Sequence, residues 1–184
     1  MFVPPSGPYR PRTMVHPGPM APLRLEHVAA CGQRQWRLTL APGQVLLSAL
    51  TGAMARQGVQ AAALALLGGE LQTVAYCLPI PDPEGLVIAT YGAPLVLHNA
   101  ALLRGSATLG QNAEGAPVVH CHATFADAQG TVRGGHVLTD RTVVGARPVT
   151  VVATALEGMD LRLGFDPETR LQMLRPTPQG IRHG

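Results

Sequence analysis

The sequence predicts an α+β fold: a single domain in which one main α-helix, at about residues 43–57, packs on a largely antiparallel β-sheet. Three observations carry this expectation. Hydrophobic residues make up 46% of the 184 and charged residues only 14%, a balance that can fill a core and is too apolar for a chain that stays unfolded. Glycine (21) and proline (17) are plentiful, which cuts the chain into short elements. Only one stretch has helical periodicity, whereas about eight short runs read as strands, and a set of strands with a lone helix makes an α+β domain.

Residues 1–24 hold seven prolines, three arginines and no acid, and are expected to form a basic, proline-rich disordered arm. The main domain is expected over 25–157. It opens with the run RQWRLTL, where Trp36, Leu38 and Leu40 alternate with polar residues as in a half-buried strand. In APGQVLLSALTGAMARQGV, Pro42 suits the first turn of a helix. Leu46, Leu50 and Met54 then recur at helical spacing, and Gly58 suits the position just past its end. Gly52 inside this helix is expected to permit close packing on the sheet.

The runs QAAALALL, ELQTVAYCL, LVIAT, APLVLHNAALLRGSATL, APVVHCHATFA, TVRGGHVL and RPVTVVATAL follow as strands. Gly68-Gly69 ends the first, PIPDPEG forms a loop, and Pro148 fits the first position of the last. Residues 158–184 are expected to form a hairpin, LRLGF with RLQMLR around the turn DPET, and a basic tail.

All fourteen basic residues are arginine, and the formal net charge is +3. Residues 25–169 carry eight arginines against eleven acids, a charge of −3, so the basic character belongs to the ends. A broad nucleic-acid face on the folded body is therefore not implied, although basic tails attract polyanions weakly and in a salt-sensitive way. Cys31, Cys77 and Cys121 are odd in number and widely spaced, which is no disulfide framework. No window approaches the length of a membrane span, and the proline-broken start lacks the apolar region of a secretory signal. By elimination a cytoplasmic location is expected.

The stretch VVHCHATFADAQGTVRGGHV carries the chemistry. On a strand, His120 and His122 share one face and Cys121 takes the other. The turn reads as a three-residue loop, Ala128-Gln129-Gly130, with glycine in the left-handed position. That register pairs Asp127 with Thr131 and sets His136 opposite His122, with His120 as diagonal neighbour. Three convergent neutral imidazoles are the ligand set of an open zinc site. His120, His122 and His136 are thus the expected ligands of zinc or another divalent metal. Gly134 and Gly135 leave room for a ligand or another backbone, and His98 and Asp127 are further candidates for lining the site. The alternative is that one or two of these are ordinary surface histidines on an exposed sheet face.

The order of these pieces resembles the PPC (plant and prokaryote conserved) domain, also found in plant AT-hook nuclear-localised proteins. LAPGQVLLSALTGAMARQGVQAAAL is similar to the family's helix and following buried strand. PLVLHNAALLRGSATLG sits where the family has a strand pair, and PVVHCHATFADAQGTVRGGHV is similar to the prokaryotic pattern of HxH, acidic turn and GGH. PVTVVATAL matches the closing strand. The resemblance implies an α+β fold that assembles as a homotrimer and, in prokaryotic members, a metal held by residues matching His120, His122 and His136. Two departures stand out: the AT-hook core R-G-R-P is absent, YRPR at Tyr9–Arg12 being nearest, and LVLHN carries His98.

The resemblance implies a metal-binding trimer with a DNA-associated or regulatory role. A second reading is a zinc-dependent enzyme acting on a small molecule, with Asp127, Asp140, Glu114 and Glu157 as unranked candidates for a general base. Its cupin variant takes His120, His122, Asp127 and Gly134, but cupins use glutamate at the acidic position and lack an early amphipathic helix. A third reading is an assembly protein whose metal serves stability alone.

Overall fold

The computed structural model describes residues 15–22, 26–29 and 34–179. The first strand, β1 (Gln35–Leu40), is followed by the helix α1 (Leu46–Arg56) and by strands β2 (Ala62–Leu66) and β3 (Gly69–Cys77). Two short strands, β4 (Pro79–Ile80) and β5 (Thr90–Tyr91), precede the long β6 (Leu95–Gln111). The hairpin β7 (Pro117–Ala126) and β8 (Val132–Val137) comes next, then a 3₁₀ turn at Thr139–Arg141 and β9 (Val143–Val144). The chain continues through β10 (Val149–Ala155) to the hairpin β11 (Met159–Asp166) and β12 (Leu171–Pro178). The sheet is antiparallel except for one parallel bridge, Arg162 to Gln111, and the α+β expectation holds.

The helix buries Leu46, Ala49, Leu50, Ala53 and Met54, the face its periodicity predicts. Leu50 and Met54 are wholly buried and each contributes about 1.5–3 kcal/mol through burial. The helix starts at Leu46, not at residue 43, and Pro42 lies in the turn before it. The reason is tertiary: Gly43 (φ 79°) turns the chain, and Gly43 and Val144 exchange amide bonds with the neighbouring segment, Gly43 N to Val144 O and Val144 N to Gln44 O, both 2.9 Å. The free amide of Leu46 is then satisfied by Thr142 O at 2.8 Å, in place of a side-chain cap. At the far end, Gly58 (φ 68°) sits one residue past the cap. Its amide bonds Ala55 O and that of Val59 bonds Met54 O, both at 3.0 Å, a Schellman closure. Gly52 does not press on the sheet; a Cβ there would meet only the Arg56 side chain, at 3.5 Å.

Strand β6 organises the sheet. The run matched to the family's strand pair is one strand of 17 residues, bent by left-handed Asn99 (φ 53°) and a register shift between Leu102 and Arg104. Along one edge, β2 and β3 pair with it in the same register, the chain passing from one to the other through Gly68 and Gly69 (φ 130° and 135°). A Cβ on Gly69 would lie 2.5 Å from Pro148 O, so only glycine lets the chain pass there. Along the other edge runs β7, and β8 curls round to pair with the end of β3 through Tyr76 and Cys77. The circuit β6-β7-β8-β3 is therefore closed. Pro148 lies just outside β10, which begins at Val149.

The run LVIAT is not a strand beyond Thr90. The amides of Leu86 and Val87 bond the Asp82 carboxylate at 2.7 and 3.0 Å, and that of Ile88 bonds Thr169 O at 3.0 Å. The PIPDPEG loop instead begins with β4, which pairs with β5. Of the arm expected over 1–24, residues 15–22 are described, and they lie on the β11–β12 turn. His16 Nδ1 is 2.6 Å from Glu168 Oε1, and Ala21 N donates to Glu168 Oε2 at 2.9 Å. The rest of that arm, residue 25, Cys31 and the last five residues of the basic tail lie outside the described residues.

Candidate metal centre

Strand β7 alternates strictly: Val119, Cys121, Ala123 and Phe125 are buried while His120, His122 and Thr124 are exposed. Cys121 thus points into the core, where burial pushes its thiol up to about 12 and removes it as a thiolate ligand. The loop is the three-residue turn the spacing predicts. Gly130 is left-handed (φ 77°), Asp127 N donates to Thr131 O at 3.0 Å, and His122 is paired with His136. The hairpin therefore sets three imidazoles on one outward face.

Their geometry is close. The Nε2 atoms of His120 and His122 are 3.1 Å apart, and the ring centroids of His136 lie 4.8 Å from His120 and 5.4 Å from His122. One nitrogen from each ring falls within 4.8 Å of the others. Tetrahedral zinc with bonds near 2.0–2.1 Å places its nitrogen ligands about 3.3 Å apart, so the first pair already stands at ligand spacing. Burial, with the other two imidazoles, holds His136 down to about 4. Burial and His122 lower His120 as well. Both rings are neutral at pH 7, the form that offers a lone pair. Among the described residues, His136 Nδ1 is buried with no hydrogen-bond partner. By donor type and spacing the three residues fit a divalent cation.

The two glycines of GGH serve neighbouring backbone. A Cβ on Gly134 would lie 2.8 Å from Ala123 O, and one on Gly135 would lie 2.6 Å from Cys77 O. Of the two roles expected for that space, the strands take it. Asp127 closes the turn, accepting the amides of Gln129 and Thr131 at 3.0 and 2.9 Å and the Arg133 Nε–H at 3.2 Å. The Thr131 amide above all, with Arg133 and Gln129, holds its carboxyl below the usual carboxylate range. It lies five residues from His122, roughly 16 Å along the strand. His98 is exposed on β6 opposite Thr73, whose Oγ1 is 3.3 Å from its Nδ1, and it does not join the triad. Glu157 is ion-paired with Arg34, and Asp140 sits in the 3₁₀ turn.

Tyr91 is a residue that sequence reasoning passes over. From β5 it stacks on His136, with centroids 4.6 Å apart and planes at 26°. It lies 45 positions from His136, and the only signal was a rare aromatic beside a glycine. Cross-strand neighbours on β6 complete the surroundings: Ser106 opposite His122 and Thr108 opposite His120.

The model of the Plants and Prokaryotes Conserved (PCC) domain matches residues 29–157. The chain belongs to this family, the one its hairpin resembles. Among solved structures, the chain is similar to a metal-containing protein from Archaeoglobus fulgidus, with a TM-score of 0.63 and 19% identity over 83% of this chain and 99% of that one. It is similar to a plant- and prokaryote-conserved protein from Pyrococcus horikoshii, with a TM-score of 0.62 and 17% identity over 83% and 97%. A protein from Ralstonia eutropha, described as a candidate DNA-binding protein, matches with a TM-score of 0.61 and 20% identity over 75% and 88%. At these identities the likeness establishes the fold. No curated protein matches the chain.

Proposed function

We propose that this PCC-domain protein binds zinc or another divalent cation through His120, His122 and His136, as a homotrimer with a DNA-associated or regulatory role. The observation that carries the reading is the 3.1 Å spacing of the His120 and His122 Nε2 atoms beside a His136 ring of matched parity. The metal-containing neighbour from Archaeoglobus fulgidus supports it. When bound at three neutral ligands, such a cation supplies a Lewis acid with an open position. Elemental analysis of untagged protein tests the site: about one metal per chain is expected, lost in His122→Ala. No metal in either protein would reduce the triad to surface histidines.

The trimer is carried by the family resemblance. An outward sheet face of small residues, among them Ala63, Ala65 and Val152, suits contact between copies. Light scattering should give three times the 19.3 kDa of one chain. DNA association is supported by the Ralstonia eutropha neighbour and by the basic ends, while the body's charge of −3 opposes it. Binding carried by the ends should fall steeply with salt and disappear when they are removed. A zinc-dependent enzyme is the second reading, favoured by the exposure of His120 and His122, which leaves the open position accessible to a small molecule.

A further inference from the structure

Three imidazoles would hold a divalent cation without cancelling its charge, and no carboxylate joins the triad among the described residues. The site therefore favours an anion at its open position. The surrounding sheet is built to the same end. Ser106 and Thr108 bring hydroxyls directly across from His122 and His120. Arg104 pairs with Thr124 and is exposed on the same face, which makes it a diagonal neighbour of His122. Such neighbours lie about 7–8 Å apart at Cα, within the reach of a long side chain. Arg104, like several other described arginines, has no carboxylate partner among the described residues. On the opposite side of the triad, Tyr91 lies flat on His136 and is 49% exposed, with Leu78 and Ile80 exposed on the same flap. Arg104 and the two hydroxyls thus lie on the β6 side of the triad, and Tyr91 lies on the β8 side.

We propose that the site takes a small carboxylate with a flat apolar body, its carboxylate paired with Arg104 and its body packed against Tyr91. The planar guanidinium fork matches a carboxylate in shape, and one arginine with hydroxyl donors matches its single charge. His136 covers one face of Tyr91, and the ring, half exposed, offers a flat body its free edge. This assignment rests on the metal-centre reading and is tested apart from it.

The full chain is loaded with cobalt(II), whose visible absorption reports ligand changes, and titrated with benzoate, benzamide and acetate. Saturable spectral change with benzoate is expected, with benzamide at least about tenfold weaker, as loss of a charge-assisted pair requires. Arg104→Gln should weaken benzoate by about tenfold or more while cobalt content stays at the wild-type value. Tyr91→Ala should weaken benzoate by about 2–10-fold and leave acetate unchanged, and Tyr91→Phe should preserve both. Failure to take up cobalt sinks the metal reading and this inference with it. Uptake of cobalt with equal response to benzoate and benzamide overturns the carboxylate assignment alone, as does an unchanged benzoate affinity in Arg104→Gln. Equal losses in Tyr91→Ala and Tyr91→Phe overturn the packing role.

Discussion

His122 faces His136 across the β7–β8 ladder, and that opposition depends on a turn of three residues with Gly130 in the left-handed region (φ 77°). Removing Gln129 leaves a two-residue loop, and a one-residue change of register sends a strand's side chains to the other face. The Gln129 deletion should therefore lose metal uptake while its circular dichroism still reports a sheet. Full uptake in the deletion would show that the turn does not set the register. Gly130→Val should cost about 1–2 kcal/mol in chemical denaturation, the penalty of a left-handed L-residue.

Gly135 passes so close to β3 that a Cβ would stand 2.6 Å from Cys77 O. Gly135→Ala should force β8 away from β3 and carry His136 with it. A loss of about 1–3 kcal/mol is expected from overpacking, together with weaker metal retention against a chelator. Wild-type stability and retention would mean that β8 can shift at no cost to the triad.

Phe125 lies on the back of the same hairpin, wholly buried and edge-on to Tyr76 at 4.9 Å. Phe125→Ala should lower stability by about 3–5 kcal/mol. Denaturant titration reads this directly, and a loss under 1 kcal/mol, well below the range for buried aromatics, would contradict the packing.

Asp127 has its carboxyl held below the ordinary value of 3.8, first by the Thr131 amide. The folded protein therefore binds this proton less readily than the unfolded chain. The carboxylate's contribution is present above the ordinary value and is lost as the pH falls through the lowered one. Asp127→Asn, which cannot ionise, should melt below the wild type at pH 7 and converge with it in acid. A gap that stays constant with pH would assign the effect to shape instead of charge.

The site's core was legible because its determinants are local. HxH parity, the turn glycine and the position of His136 all lie within one hairpin, so period and loop length suffice to bring the rings together. The helix was legible for the same reason, apart from its first residues, which pair with β9 nearly a hundred positions later. Long-range closure was not legible. Nothing local in ELQTVAYCL announces that β3 will share an edge of β6 with β2 and meet β8 at its end. Tyr91 depends on that closure, because β5 reaches His136 only once β8 lies against β3. LVIAT misled for the opposite reason: its apolar content suits a strand, yet Asp82 and Thr169 bond its amides and Leu86 remains 56% exposed.

The closed circuit of β6, β7, β8 and β3 also orders events in time. Hairpins form in about 1–10 μs, whereas joining Cys77 to His136 closes a long loop and belongs to the slower, high-contact-order phase. The pairing of His122 with His136 is local to one hairpin, whereas the contact of Tyr91 with His136 spans the closure. A strand slipped by one residue turns His136 to the other face, so the register that sets Cys77 against His136 also fixes the triad.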